Sequence, residues 1–201
     1  MKKIITISRE FGSGGRLIGK LTAEKLGIAF YDKDLIELIA NESGLAADYI
    51  KDIDEILSAR VPLNFSVGNI FSYTAFSTET MSLQDHIHII LGNIINDIAE
   101  REACVIVGRC ADYILRGRED CLNVFVHAAT DSKLERITKE YNVPEKNALK
   151  EMEKIDKSRA GYYKYYSGQA WGLARNYHLS LNSSAFGLEN CVKIITDMAE
   201  Y

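Results

Sequence analysis

The chain has 201 residues, 47% of them apolar and 26% charged, with a formal net charge of −4. Those values suit one globular domain with a lobe or insertion, able to build a core without disulfides or metals. The acidic balance argues against a broad nucleic-acid-binding face, and no segment reaches the roughly 18–20 apolar residues that span a bilayer.

"KIITIS" (3–8) is a β-branched run, too short for the apolar core of a signal peptide, and it reads as a strand. It stops at the glycine-rich turn "REFGSGGR" (9–16). "RLIGKLTAEKLG" then spaces Ile18, Thr22 and Leu26 four apart, the period of a helix, with Gly27 as its C-cap. "IAFY" (28–31) is a short strand with Asp32 at its C-terminal end. Helices are expected over 33–42 and 46–59, and 60–82 breaks the period with Pro62, Gly68 and several aromatics. That stretch reads either as a lobe over the core or as a buried connection.

A long helix follows over 82–101. Buried strands are expected at 104–108, 122–127 and 177–182. Helices fall at 131–141 and 144–165, and a last one at 186–200. Apolar strands alternating with helices predict an α/β fold whose parallel sheet is covered on both faces. Cys104, Cys110, Cys121 and Cys191 have no C-x-x-C spacing, which suits reduced thiols in a cytoplasmic protein.

The turn at 9–16 carries the first functional signal. A glycine-rich loop between a first strand and a helix leaves amides at the helix N-terminus, where the dipole favours an anion. Gly12, Gly14 and Gly15 allow close approach to phosphate, and Ser13 offers a hydroxyl. The usual signature G-x-x-x-x-G-K-[ST] is incomplete, however. "GGRLIGK" matches its first part, but that register buries Gly19 and Lys20 more than a turn inside the helix. In the register starting at Arg9, Gly14 is the last glycine, Gly15 replaces the lysine and Arg16 the hydroxyl residue. Arg9 or Arg16 can restore the lost cation, because guanidinium pairs with phosphate in a bidentate fashion. An anion-binding turn without catalysis is the competing reading.

The segment "ITISREFGSGGRLIGKLTAEKLGIAFYDKDLI" resembles the start of the cytidylate kinase-like family. "VIVGRCADYIL" (105–115), "VFVHAATDSKLERI" (124–137) and "KIDKSRAGYYKYYSGQAWGLARNYHLSLNSSAFGLE" (154–189) extend the resemblance along most of the chain. It implies a single three-layer P-loop kinase domain with a five-stranded parallel sheet in the order 2-3-1-4-5. A helical acceptor-binding insertion (33–100) and a lid (138–165) would complete it. It also implies phosphoryl transfer from ATP, with Mg²⁺, to a nucleoside monophosphate such as CMP or dCMP; charge and apolar run lengths add the expectation that neither nucleic acid nor a membrane is a partner.

Carried over by residue, Gly12, Ser13, Gly14 and Gly15 would hold the donor phosphates, beside Arg9 or Arg16. Lys133 and Arg136 match basic lid positions, which are both arginines in cytidylate kinase proper. Asp32, Arg109, Asp156 and Arg159 would face the acceptor, and no residue is singled out as a metal ligand. Met152 and Glu153 depart from the family, which has a basic pair there. Several bland alternatives stand beside these roles. Asp32 can cap the next helix, Arg136 can pair with Glu140, and Asp156 can pair with Arg159. An arginine following a buried strand, as Arg109 does, calls for an anionic partner. Tyr162, Tyr163, Tyr165 and Tyr166 read as packing, Trp171 as an anchor and His127 as a core histidine. Rival functions are a nucleotide- or anion-binding regulatory protein and a kinase for another phosphorylated metabolite.

Overall fold

The structure is a computed structural model, and it describes residues 3–32 and 83–201. Five strands, β1 (Ile4–Arg9), β2 (Ala29–Tyr31), β3 (Cys104–Val107), β4 (Cys121–His127) and β5 (Leu179–Asn182), form one sheet in the order β2-β3-β1-β4-β5. Every pairing is parallel, with Ile5 opposite Val105 and Leu122. The helices are α1 (Gly15–Leu26), α2 (Leu83–Arg101), α3 (Ala111–Ile114), α4 (Thr130–Glu140), α5 (Glu145–Ser167), α6 (Ser183–Phe186) and α7 (Leu188–Glu200).

Strand alternation divides the core between two faces. Ile4, Cys104, Ile106 and Cys121 pack on Ile87, Leu91, Ile95 and Ile98 of α2. Ile5, Ile7, Val105, Val107, Val124 and Val126 pack on Ile18 of α1 and on Val192 and Ile195 of α7. Burying each such side chain contributes about 1.5–3 kcal/mol, so the central strands anchor all three layers. The one polar pair between β1 and β4 is satisfied: Thr6 Oγ1 donates to Asn123 Oδ1 at 2.7 Å. The expected layering and strand order are therefore present.

Some boundaries differ from the sequence reading. β1 runs one residue further, so that Arg9 is held in the sheet opposite Val126. β5 begins at Leu179 because residues 174–176 form a 3-10 turn before it. The short helices α3 and α6 were not expected. Gly27 caps α1 as anticipated, with φ 66° and its amide directed to Ala23 O and Glu24 O. The expected helices at 33–42 and 46–59, the 60–82 stretch and most of the acceptor-binding insertion lie outside the described residues. The lid stretch comprises the end of α4, the 141–144 connection and most of α5. All four cysteines are buried and unbridged, and no described helix is long and apolar enough to cross a membrane.

Candidate functional site: a phosphate loop at the head of the sheet

The chain leaves β1 at Arg9 and turns through 10–14 into α1. Ser13 closes this turn, its amide and hydroxyl both donating to Glu10 O at 3.2 and 2.8 Å. Gly12 and Gly14 sit at φ 79° and 77°. A Cβ at Gly12 would stand 2.8 Å from Lys133 O, and one at Gly14 2.7 Å from Leu188 Cδ2. Left-handed backbone favours glycine at both positions, and packing against a backbone carbonyl adds to that at Gly12, whereas the Leu188 methyl facing Gly14 can move aside. Among the described residues no backbone carbonyl accepts from the amides of Gly12 or Gly14. Both glycines line the cleft beside the N-terminus of α1, the arrangement that receives an anion.

That cleft encloses about 710 Å³ above the C-terminal ends of β1, β2 and β3. Of the residues singled out from sequence, Arg9, Gly12, Gly14, Gly15, Arg16, Asp32, Arg109 and Arg159 line it. Ser13, Lys133, Arg136 and Asp156 do not. Ser13 is fully buried, and its hydroxyl serves the loop instead of reaching an anion. Its carbonyl accepts from Ser183 Oγ at 2.6 Å, which ties the loop to α6.

Asp32 gathers the loop's arginines. Its Oδ2 pairs with Arg16 Nε and its Oδ1 lies 3.9 Å from Arg9 Nη2. The helix it was expected to cap lies outside the described residues; among the described residues it pairs with these two cations. Arg109 follows β3 in a run of three left-handed residues: Gly108 (φ 77°), Arg109 (φ 60°) and Cys110 (φ 55°). Each non-glycine member costs about 1–3 kcal/mol, strain of a kind that clusters at ligand sites. The turn is pinned where Gly108 N donates to Ile7 O at 2.9 Å and Ala111 N to Gly108 O at 3.1 Å.

The residues missing from the cleft wall, together with Arg159, brace the loop from behind. Lys133 Nζ donates to Glu10 Oε2 at 2.9 Å, and the same oxygen accepts from Ala128 N at 3.3 Å. Asp156 Oδ1 accepts from Phe11 N at 2.7 Å, and Oδ2 lies 4.0 Å from Lys133 Nζ. Arg159 Nη1 donates to Arg9 O at 3.0 Å and stands 3.6 Å from Asp156 Oδ1. Arg136 Nη1 donates to Gly12 O at 2.7 Å. Its Nε lies 3.4 Å from Glu140 Oε1, close enough to attract but misaligned for a hydrogen bond. So the bland pairings of Arg136 and of Asp156 with Arg159 both exist, and each also holds loop backbone. The Asp156 carboxylate faces the loop and not the cleft, contrary to the expected acceptor contact. Burial raises the Asp156 pKa, against the Phe11 amide, Arg159 and Lys133. Burial likewise lowers that of Arg159, against Asp156.

Sequence reasoning missed the polar group behind the cleft. Tyr163, a cleft residue, donates its hydroxyl to Asp112 Oδ2 at 2.7 Å, and Ser8 Oγ donates to Oδ1 at 3.4 Å. Asp112 is 3% exposed, and burial pushes its pKa up despite those two bonds. Burial and the neighbouring Asp112 raise the Tyr163 phenol strongly. Neither the short helix α3 that carries Asp112 nor the burial of Asp112 has a local signal in the sequence. Of the other tyrosines expected to pack, Tyr166 does so, whereas Tyr165 is 71% exposed. Tyr166 stacks on His88 at 3.7 Å, and Tyr162, also a cleft residue, shares a 2.9 Å hydrogen bond with His88 Nδ1. Trp171 meets Phe125 edge-on at 5.3 Å, an anchor that also reaches the cleft.

The left-handed glycines, the helix N-terminus and the arginines fit a polyphosphate. A magnesium ion is less well provided for. Arg16 stands where a hydroxyl ligand is usual, and among the described residues no group of three or more His, Cys, Asp or Glu can hold a metal. Magnesium arriving with a nucleotide keeps phosphate oxygens and water as ligands, so the loop need not supply them.

A five-stranded parallel sheet in this order, with a glycine loop at its head, is the P-loop kinase fold. The model of the cytidylate kinase-like family matches residues 4–185, and the chain belongs to that family. No curated protein matches significantly. Among solved structures, an uncharacterized protein from Eubacterium ventriosum ATCC 27560 is 28% identical with a TM-score of 0.73, over 98% of each chain. The shikimate kinase from Acinetobacter baumannii in complex with shikimate is 15% identical with a TM-score of 0.52, over 98% of this chain and 92% of that one. The shikimate kinase from Bacteroides thetaiotaomicron is 16% identical with a TM-score of 0.53, over 98% of both. At such identities those two likenesses concern the fold.

Proposed function

We propose that the protein is a cytoplasmic phosphotransferase that moves the terminal phosphoryl group of ATP, supplied with Mg²⁺, to a nucleoside monophosphate of the CMP or dCMP type. The observation that carries this reading is the convergence of Arg9, Arg16, Arg109 and Arg159 on one cleft beside the glycine loop. Phosphoryl transfer asks little covalent chemistry of the protein. It asks that two polyanions be held in line while their repulsion is neutralised.

In this reading the donor phosphates lie against Gly12, Gly14 and Gly15 and meet the main-chain amides of Gly12 and Gly14, while the Gly15 amide also donates to Ser13 Oγ at 3.4 Å. Arg109 and Arg159 take the acceptor phosphate, and Asp32 orients the arginines until anions arrive. Lys133, Arg136 and Asp156 act through the loop, by fixing Glu10, Phe11 and Gly12. Closure of the lid stretch over the cleft excludes water. Four buried, unbridged cysteines support a reducing compartment.

A coupled assay of ATP turnover with a panel of nucleoside monophosphates tests the proposal, with CMP or dCMP expected to be the best acceptor. A folded protein that binds ATP and transfers phosphate to none of them would favour the second reading, a nucleotide-sensing regulator. The glycine in the lysine position is what motivates that alternative.

A further inference from the structure

We propose that Arg9 is the working cation of this phosphate loop and Gly15 its steric complement, the chain having exchanged glycine and cation between the loop's first and seventh positions. In the usual signature the first position is glycine and the seventh lysine; here they are Arg9 and Gly15. Space explains why the two changes occur together. A Cβ at Gly15 would lie 2.5 Å from Arg9 Cβ, 3.1 Å from Arg9 Cγ and 3.2 Å from Val126 Cβ. The first of these distances is not tolerated, and the atom concerned sits at the rigid base of its side chain. A side chain at 15 is therefore incompatible with one at 9. The two positions share room for one side chain between the loop and the head of α1.

Arg9 uses that room to cross the sheet. From its base beside Gly15, the side chain runs to Gly108, where a Cβ would overlap Nη1, and brings Nη2 to 3.9 Å from Asp32 Oδ1. The guanidinium thus lies at the ends of β1, β2 and β3, inside the cleft. Its backbone is fixed twice, by strand pairing with Val126 and by the Arg159 bond to its carbonyl. Arg16 is placed differently. It leaves the second residue of α1 with its side chain 56% exposed, against 21% for Arg9, and pairs with Asp32 from the rim. A fixed, largely desolvated guanidinium is the better preorganised partner for developing charge.

This assignment rests on the reading of 9–16 as a polyphosphate cradle, and the probes are chosen to separate the two. Calorimetry would measure binding of ATP and of inorganic triphosphate, which needs no acceptor, with far-UV circular dichroism as a folding control. Arg9→Ala is expected to weaken binding of both by roughly 10–100-fold, the loss of a charge-assisted pair, and Arg16→Ala to weaken it less. Gly15→Lys alone is expected to lose folding or binding. Arg9→Gly combined with Gly15→Lys should fold and bind at least about 10-fold more tightly than Arg9→Gly. The exchange is overturned if Arg16→Ala costs more affinity than Arg9→Ala, or if the double variant is unfolded or binds no better than Arg9→Gly. If the unaltered protein binds neither probe, the cradle itself falls and this assignment with it.

Discussion

Asp112 sits behind the cleft with Tyr163 and Ser8 donating to its two oxygens, and burial raises its pKa above the usual carboxylate value. A folded-state pKa above the unfolded one favours the protonated folded form. Stability from this group is full below the unfolded value and falls as pH rises through the folded one. Asparagine keeps one acceptor for Tyr163 and carries no charge to desolvate. Relative to the unaltered protein, Asp112→Asn should therefore become progressively more stable as pH rises from 4 towards 7.5, a comparison that urea unfolding at both ends measures. A difference independent of pH would mean that the carboxyl ionises as freely folded as unfolded. Lys133 behaves as half of a pair, being 9% exposed and bonded to Glu10. Lys133→Met should lower unfolding stability by about 1–3 kcal/mol, because Glu10 loses its hydrogen-bonded cation, and adding Glu10→Gln should recover part of that loss.

The glycines of the first β–α unit separate conformational strain from crowding. Gly27 ends α1 at φ 66°, and a Cβ there would meet nothing within 4 Å. Gly27→Ala should then cost only the left-handed penalty, about 1 kcal/mol in urea unfolding. Gly12 has similar φ, but its Cβ would press on Lys133 O and Ile137, so Gly12→Ala should cost clearly more. Equal costs would show that the α4 contact with the loop yields easily. The first unit was also the most legible in the sequence. A β-branched run, clustered glycines, a helical period and a C-cap glycine are all local signals, and local chemistry decides each of them. The place of Arg109 at the cleft follows from its position just after a buried strand. The D-x-x-R pair was legible only in part: its mutual pairing was offered by the spacing, but its hold on the loop was not. Asp156 and Arg159 are one helical turn apart whichever way the helix faces, and only the packing of α5 against the loop turns Asp156 to the Phe11 amide. The Asp112–Tyr163 bond joins residues 51 apart in the chain, and no local pattern announces such a contact.

The described residues join a buried base to a cleft lined by four arginines and by the carboxylates of Glu10, Asp32, Glu140 and Glu151. Fully buried Ile4, Ile5, Ile7 and Ile106 seat β1 and β3, whose C-terminal ends carry the loop and the Arg109 turn, and Asp32 follows the edge strand β2 beside them, where open parallel sheets place ligands. The loop is braced through Ala128, Lys133, Arg136, Asp156 and Arg159, so motion of α4 or α5 is coupled to the cradle. A ligand taken up only by the folded protein shifts unfolding by mass action. ATP at a hundred times its dissociation constant should add about 2.7 kcal/mol to stability in urea titrations, and absence of any shift would argue against a nucleotide site.

The central claim is that the turn at 9–16 receives phosphate on its main-chain amides. Backbone-resolved NMR titration with ATP reads those amides one by one. The account predicts that the largest shifts fall on Gly12, Gly14, Gly15 and Arg16, together with the Arg9 side-chain Nε–H. Binding that leaves these resonances unmoved and perturbs another surface would contradict it.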